Sequence, residues 1–463
     1  MSQTMILPGT YIEVRDEGLI RAGGVATGNI GIVGTAEKGP LDEVKLLSSL
    51  SEAKEIFGDK DKLQDGTKEL TLIRALELIY KNGGKTVYAV RTGKDATPAS
   101  YTLKKGKAEL LKLAAKTPGT WGNNIGLEIT TLEENKQEVK LFHGVIEEKY
   151  DINSVAELKT QIDKKSVLVT ATFVEPKTSD NEQELPDDIP NNPDLFSNGT
   201  NGENAEQSHY ENGLALLENE IINIVLLAGQ DDQMVTVLEG HLKTTADIKR
   251  ERIGIIGSSL KNGKDDLNTI AQHTLNSDRL IFTAPGILST SNKQQNKLPG
   301  AYTAAAVAGL IASVPPKTSP TNKTLVIEGL TTEFNSSQLE KLVSSRVLAV
   351  EKRNGYRIVK GITTEDGAWT QITTRRIVDY AIYGVRSSCD PYIGKLNNER
   401  VRGAMKATID SFLTGMVEDE ALVSYELDVA ATRDQEIQGK VMVTMTLQPT
   451  FSIDFIQVTM YLG

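Results

Sequence analysis

The sequence predicts a multidomain α/β protein, with a β-rich domain inserted into an α/β core and an α+β domain toward the C-terminus. Three observations predict it. Strand-length apolar runs alternate with amphipathic helical stretches over residues 18–92 and again over 213–350. Between them, residues 93–212 lose that rhythm and carry strand-like pieces and polar loop. A chain of 463 residues is too long for one ordinary core, so two to four domains are expected. The composition, 39% hydrophobic and 24% charged, is that of a globular protein rather than a disordered one.

The elements follow in order. Residues 10–16 set Ile12 and Val14 against Glu13 and Arg15, which is strand patterning. A glycine-rich run over 18–28, with Gly18, Gly23, Gly24 and Gly28, tethers that strand to the next apolar segment at 30–33. A lone short strand on such a tether is not stable by itself and must pair, within its own chain or with another. Residues 30–91 then read strand, turn, helix, helix, strand. Ser51 is expected to cap a short helix that ends at Phe57 and Gly58. Leu72, Ile73, Leu76, Ile79 and Tyr80 mark one face of a longer helix, stopped by Gly83-Gly84.

In the insert, residues 125–131, 138–142 and 166–173 read as strands, and the polar stretch 175–204 is expected to be a long mobile surface loop. The α/β rhythm resumes with a helix at 210–220 and strands at 221–227, 252–256, 280–283 and 325–327. Residues 301–314 read as a buried helix, interrupted by Tyr302, Thr303 and Ser313 and too short to span a bilayer. From about 351 the chain opens with strands. One strong helix follows at 398–417, with Val401, Met405, Ile409, Phe412 and Met416 on its buried face. Strands are expected at 422–429, 440–447 and 451–461. In the last, Phe451, Ile453 and Phe455 share one face, whereas Ile456, Val458, Met460 and Leu462 fall on the opposite parity. A bulge or bend near Phe455 explains the switch, as does a strand that leaves its own sheet there.

Net charge is −11, unevenly spread. Residues 171–240 hold 15 acidic and 1 basic side chains, and residues 341–410 hold 13 basic and 7 acidic. The two regions either face different partners or are ordinary solvated surfaces. The acidic balance and the lack of a recognised module argue against nucleic-acid binding. The first eight residues lack a basic region followed by an apolar run, so no secretory signal is expected. The single cysteine, Cys389, cannot form an intrachain disulfide.

Catalytic chemistry finds little support. Asn82-Gly-Gly-Lys-Thr86 ends like a phosphate-binding loop, but Ile79 stands where the first glycine belongs and the order is helix then strand, so the amides would not cradle phosphate. Gly28, Gly31 and Gly34 do not match the dinucleotide pattern and read as linker and tight packing. His143, His209, His241 and His273 are scattered without ligand spacing. Asp59 and Asp61 suggest a calcium loop, but Leu63 and Leu70 occupy positions that should supply oxygens. The run from Leu298 to Gly309 loosely resembles the nucleophile helix of subtilisin-like folds. No serine stands in the expected place, which Ala301–Thr303 fill, so only fold-level likeness remains and no enzyme, cofactor or metal is expected.

Seven segments in order resemble the contractile tail sheath proteins of phages and related injection machines. Leu7-Pro-Gly-Thr-Tyr-Ile-Glu13 is similar to the family's N-terminal arm, Ile30-Gly-Ile-Val-Gly-Thr-Ala-Glu-Lys-Gly-Pro40 to its first core strand and turn, and residues 82–91 to the strand that follows. Ala115-Lys-Thr-Pro-Gly-Thr-Trp-Gly-Asn-Asn124 and residues 210–229 resemble sheath segments within and after the insert. Residues 346–364 and 369–379 look like the entrance to the C-terminal domain, and Phe451-Ser-Ile-Asp-Phe-Ile456 like its exit. The acidic 175–204 stretch has no counterpart in this resemblance.

The resemblance implies a subtilisin-like core, and subunits in stacked rings around a rigid inner tube. It also implies contraction that drives the tube through a target envelope. Terminal arms would add strands to the C-terminal sheets of neighbours, a mode that satisfies backbone groups without a particular side-chain surface. On this basis residues 1–17 are an N-terminal arm, 18–92 and 213–350 the core, 93–212 an outer domain and 351–463 an assembly domain. Tyr11, Ile12, Glu13, Val14, Arg15, Ile453, Phe455, Val458 and Met460 are the expected intersubunit strand residues, and Gly18, Gly23, Gly24 and Gly28 the hinge. Arg402 and Lys406, one turn apart and expected on the exposed face of the 398–417 helix, are the candidate contacts to an acidic tube. The simpler reading pairs them with Glu399 and Asp410 along the helix. Expected partners are other copies of the chain, the inner tube protein, and baseplate and terminator proteins, without nucleic acid or membrane insertion. Synthesis is expected in the bacterial cytoplasm and residence in the sheath of the assembled particle. Two alternatives stay open: an α/β enzyme with an accessory domain, which would show a convergent polar pocket, and another tail component such as a baseplate or terminator protein.

Overall fold

The structure, a computed structural model, describes residues 26–63, 70–133, 135–175, 182–202, 204–291 and 294–462. They fall into two units. The larger holds Ala26–Pro315, Ser319–Ile372 and residues from Asp454 onward, and the smaller holds Pro316–Thr318 and Thr373–Ile453.

In the larger unit the chain enters through β1 (Ile30–Gly34), β2 (Val44–Leu47), α1 (Leu50–Phe57), α2 (Leu72–Lys81) and β3 (Val87–Arg91). The insert follows as β4 (Ser100–Lys105), β5 (Ala108–Ala115), β6 (Gly126–Glu133), β7 (Lys136–His143), β8 (Ile146–Ile152), α3 (Val155–Lys165), β9 (Val169–Phe173) and β10 (Ile189–Leu195). The core resumes with α4 (Gln207–Leu216), β11 (Ile224–Leu227), α5 (Val235–Asp247), β12 (Ile253–Gly257), α6 (Leu267–Ala271) and β13 (Leu280–Ala284). An antiparallel pair, β14 (Ile287–Ser291) and β15 (Gln294–Leu298), leads into α7 (Gly300–Ser313). The unit is completed by β16 (Thr324–Leu325), β17 (Gly329–Leu330), α8 (Ser336–Ser344), β18 (Leu348–Lys352) and β19 (Tyr356–Ile358).

Nine strands form the central sheet in the order β16-β19-β18-β13-β12-β11-β1-β3-β2. The six from β18 to β3 are parallel, and antiparallel strands close both edges. β1, β11, β12 and β13 are buried along their whole length, which explains their unbroken apolar sequence: helices cover both faces. Alternate residues send Ile30, Ile32, Ile224 and Leu226 to one core with α2 and α7, and Val33, Val225 and Leu227 to another with α4, α5 and α8. The predicted 301–314 helix is α7, buried nearly all round. It lies so close to the sheet that a Cβ on Gly257 would fall 1.8 Å from the Gly300 carbonyl carbon.

Two local expectations are corrected. The first helix is capped by Ser49, whose Oγ accepts from Glu52 N at 3.2 Å, and Ser51 lies inside the helix. The 175–204 stretch is not one loop. Its β10 pairs with β6 at the edge of a four-stranded sheet (β10-β6-β7-β8), and Phe196 behind it is buried. Pro190 and Pro193 hid this strand, since proline is tolerated only where an edge needs no donor. The remaining insert strands form a second sheet, β4-β5-β9, with α3 packed on it.

The smaller unit holds α9 (Ile372–Cys389, which begins on the last residue of the larger unit), α10 (Glu399–Glu418), β20 (Leu422–Ala430), α11 (Arg433–Ile437) and β21 (Met442–Pro449). Ile377, Ala381 and Val385 meet Met405, Ile409, Leu413 and Met416 in its core. α9 is not foreshadowed in the sequence, because Ile377-Val378 and Tyr380–Tyr383 present an apolar, β-branched and aromatic run whose period is ambiguous. Residues 451–461, expected as a strand that pairs into another copy, form no strand within the single chain.

Candidate assembly site

Among the described residues β20 and β21 form a sheet of two strands, paired antiparallel from Leu422 to Ala430. Tyr425, Leu427, Val429, Val443, Met445 and Leu447 turn one face, half-buried, toward the helical core, while Glu426, Asp428, Thr444, Thr446 and Gln448 face outward. Such a hairpin is marginal alone, and among the described residues no further strand pairs with either of its edges, the geometry that accepts added strands. Thr450 N still donates to Ala421 O at 3.1 Å, after which the chain leaves the hairpin.

Beyond it, Ile453, Phe455, Val458 and Met460, all expected intersubunit residues, are exposed, as are Phe451, Ile456, Tyr461 and Leu462. No other stretch of the described chain shows so many large apolar side chains in succession. A gathered apolar surface of this kind marks an interaction site. Tyr11, Ile12, Glu13, Val14, Arg15, Gly18, Gly23 and Gly24 lie outside the described residues. Gly28 lies within them and is packed: a Cβ there would meet the Ala312 carbonyl oxygen at 2.3 Å. Just before it, Ala26 O accepts from Asn223 Nδ2 at 2.9 Å, and Asn29 N donates to Asn223 Oδ1 at 3.0 Å.

Arg402 is corrected. It is buried on the same stripe as Met405 and Ile409, and its Nη1 donates to Glu436 Oε1 at 2.8 Å and Asn397 Oδ1 at 2.9 Å. The hairpin and α11 cover that side of the helix, so a position that a free helix would expose is enclosed. Glu436 is held below the usual carboxylate range by hydrogen bonds from Arg402 and Arg433. Lys406 remains exposed, 3.8 Å from Asp428.

The residues weighed for chemistry are occupied with structure. Asn82 bonds the Leu78 carbonyl and both backbone groups of Val326, and Gly83 has φ +96°, so this is a helix stop rather than a phosphate cradle. His143 stands edge-on to Trp121, His209 Nδ1 accepts from Glu206 N, and His273 stands edge-on to Phe282. His241 is pushed down to about 3 by burial and by Arg252, whose Nη1 lies 3.2 Å from His241 Nε2. Among the described residues no cluster of three or more metal-ligating side chains is assembled, and no helix is long and apolar enough to cross a membrane.

This multidomain mixed α/β architecture is that of solved sheath proteins. It resembles the sheath tail protein of Desulfitobacterium hafniense with a TM-score of 0.65 at 16% identity, over 96% of this chain and 100% of that one. It also resembles the contracted helical sheath of the anti-feeding prophage, with a TM-score of 0.58 at 15% identity over 99% of each chain. The phage tail sheath protein central domain matches residues 203–364 and the phage tail sheath C-terminal domain residues 364–463, so the chain belongs to the phage tail sheath family. Among curated proteins, the tail sheath protein of Bacillus phage SP01 is 26% identical over 223 residues, 46% of this chain. The match spans only 39% of that relative's length.

Proposed function

We propose that this chain is the structural subunit of a contractile tail sheath, polymerising around an inner tube by lending terminal strands and contracting to drive the tube through a target envelope. One observation carries the reading: the exposed, apolar segment 451–462 is strand-patterned, and among the described residues no strand pairs with either edge of the β20–β21 hairpin. Strand addition between copies covers both at once and leaves the backbone bonds intact while subunits rotate. The extended lattice is then a metastable arrangement of the same contacts, and no cofactor or catalytic step is needed.

Several finer assignments belong to the same proposal. Residues 10–16 supply the second arm. The nine-stranded unit is a subtilisin-like core, supported by its six parallel strands and by the position of α7. Lys406 is the remaining candidate for contact with the tube. Baseplate and terminator proteins cap the polymer, which is made in the bacterial cytoplasm and resides in the assembled particle.

Negative-stain microscopy of the purified chain tests the reading. The full-length protein is expected to form cylinders of regular diameter. Chains lacking 1–17 or 455–463 should stay folded and fail to polymerise. Normal cylinders from either truncation would remove that arm from the mechanism.

A further inference from the structure

In the segment that closes the chain, burial is inverted. Ile453 and Phe455 are 79% and 82% exposed, while the side chain of Asp454 between them is only 10% exposed. Burial ordinarily favours the apolar residues of such a segment and leaves a carboxylate in water. Here the carboxylate is held inside by three partners of the larger unit. Asp454 Oδ1 accepts from Thr321 Oγ1 at 3.2 Å, Oδ2 accepts from Gln371 Nε2 at 3.0 Å, and Lys360 Nζ lies 3.6 Å from Oδ2. Lys360 also sits 5.2 Å from the centroid of the Phe455 ring. Thr321 is itself fixed, since its Oγ1 accepts from Gly361 N at 3.0 Å and from Ser319 Oγ at 2.9 Å.

We infer that Asp454 is a mooring residue, fastening the root of the C-terminal arm to its own subunit so that the lent strand starts at Phe455 and enters its neighbour in one register. This rests on the reading of the tail as an arm. The physical need is specific. Side chains alternate along a strand, so a slip of one residue turns every apolar group from the covered face to water. In the tail, Ile456, Val458, Met460 and Leu462 share one face, and Gln457, Thr459 and Tyr461 the other. An arm free at its root could enter at either parity, whereas a root held by charge and hydrogen bonds fixes which residue comes first. The parity change at Phe455 is then the junction between a moored segment and a lent one. Asn223 holds the root of the N-terminal segment in a similar way, through Ala26 and Asn29.

Disulfide trapping between copies tests this in the full-length chain carrying Cys389→Ser. A cysteine replaces Val458, and a second is moved in turn along residues 423–430 and 442–448. With Asp454 present, intersubunit crosslinks should concentrate on positions of one parity. With Asp454→Ala they should spread over both parities and polymer yield should fall several-fold, the melting temperature of the unassembled chain changing little. Asp454→Asn, which still accepts from Thr321, should restore the single parity. The pair Thr321→Val with Lys360→Ala removes partners from the other side and should reproduce the spread, even if Asp454→Ala folds poorly. An unchanged crosslink pattern and yield in these variants overturns the mooring while leaving the arm intact. No hairpin crosslink at any position, together with normal polymers from the chain lacking 455–463, overturns the arm itself.

Discussion

Arg91 Nη1 donates to the carbonyl oxygen of Pro118 at 2.7 Å, tying the last core strand before the insert to a residue within it. The same guanidinium reaches Gly39 O at 2.6 Å and Asn201 O at 3.1 Å, so one buried side chain joins the core turn to the insert near its entry and its exit. Burial pushes its pKa down to about 10, still far above neutrality, so the group stays charged among carbonyls. Arg91→Met should leave those carbonyls unsatisfied and cost about 3 kcal/mol. Urea unfolding checks this, and faster proteolysis within 93–212 should accompany it. An unchanged midpoint would mean that the carbonyls find other donors.

Backbone approach sets the second expectation. Because a Cβ at Gly257 would overlap the backbone of Gly300, Gly257→Ala should cost about 3 kcal/mol or more, with loss of soluble protein. Gly403, on the exposed side of α10, has nothing within 4 Å of such a Cβ, and Gly403→Ala should gain about 0.5–1 kcal/mol from helix propensity. Thermal melts of the two variants should therefore move in opposite directions.

His241 gives the stability a pH dependence. Its folded pKa of about 3 lies below the ordinary value of 6.5, so the unfolded chain binds a proton first as pH falls. Above about pH 6.5 both states are neutral and the group is silent. Below it stability declines, by about 2 kcal/mol at pH 5, and the decline continues toward pH 3. Chemical denaturation of the wild type and His241→Gln between pH 7.5 and 5 should show a shallower decline in the variant. Parallel slopes would place the dependence elsewhere.

Arg402→Ala should lower the melting temperature of the smaller unit, because it strips Glu436 and Asn397 of their donor. Lys406→Ala should leave it nearly unchanged, since Lys406 and its neighbour Asp428 are both exposed, and an ion pair in water contributes little. If charge reversal at Lys406 also leaves the salt dependence of assembly unaltered, the tube contact lies elsewhere on the chain.

The sequence by itself determined the buried strands of the α/β core and the points where its first two helices stop. Unbroken apolar runs such as Ile30–Gly34 and Ile253–Gly257 are needed only where both faces of a strand are covered, and Phe57-Gly58 and Asn82-Gly83 stop helices through local backbone preference. It also exposed the tail, whose alternating Ile456, Val458 and Met460 read as a strand even though no strand forms within the single chain. Only the tertiary structure decided the burial of Arg402, Arg91 and Asp454, and the pairing of β10. A charged residue looks the same in sequence whether it meets water or a partner far along the chain, as Asp454 meets Thr321 and Arg91 meets Asn201. Which of the two it meets depends on the assembled elements that surround it.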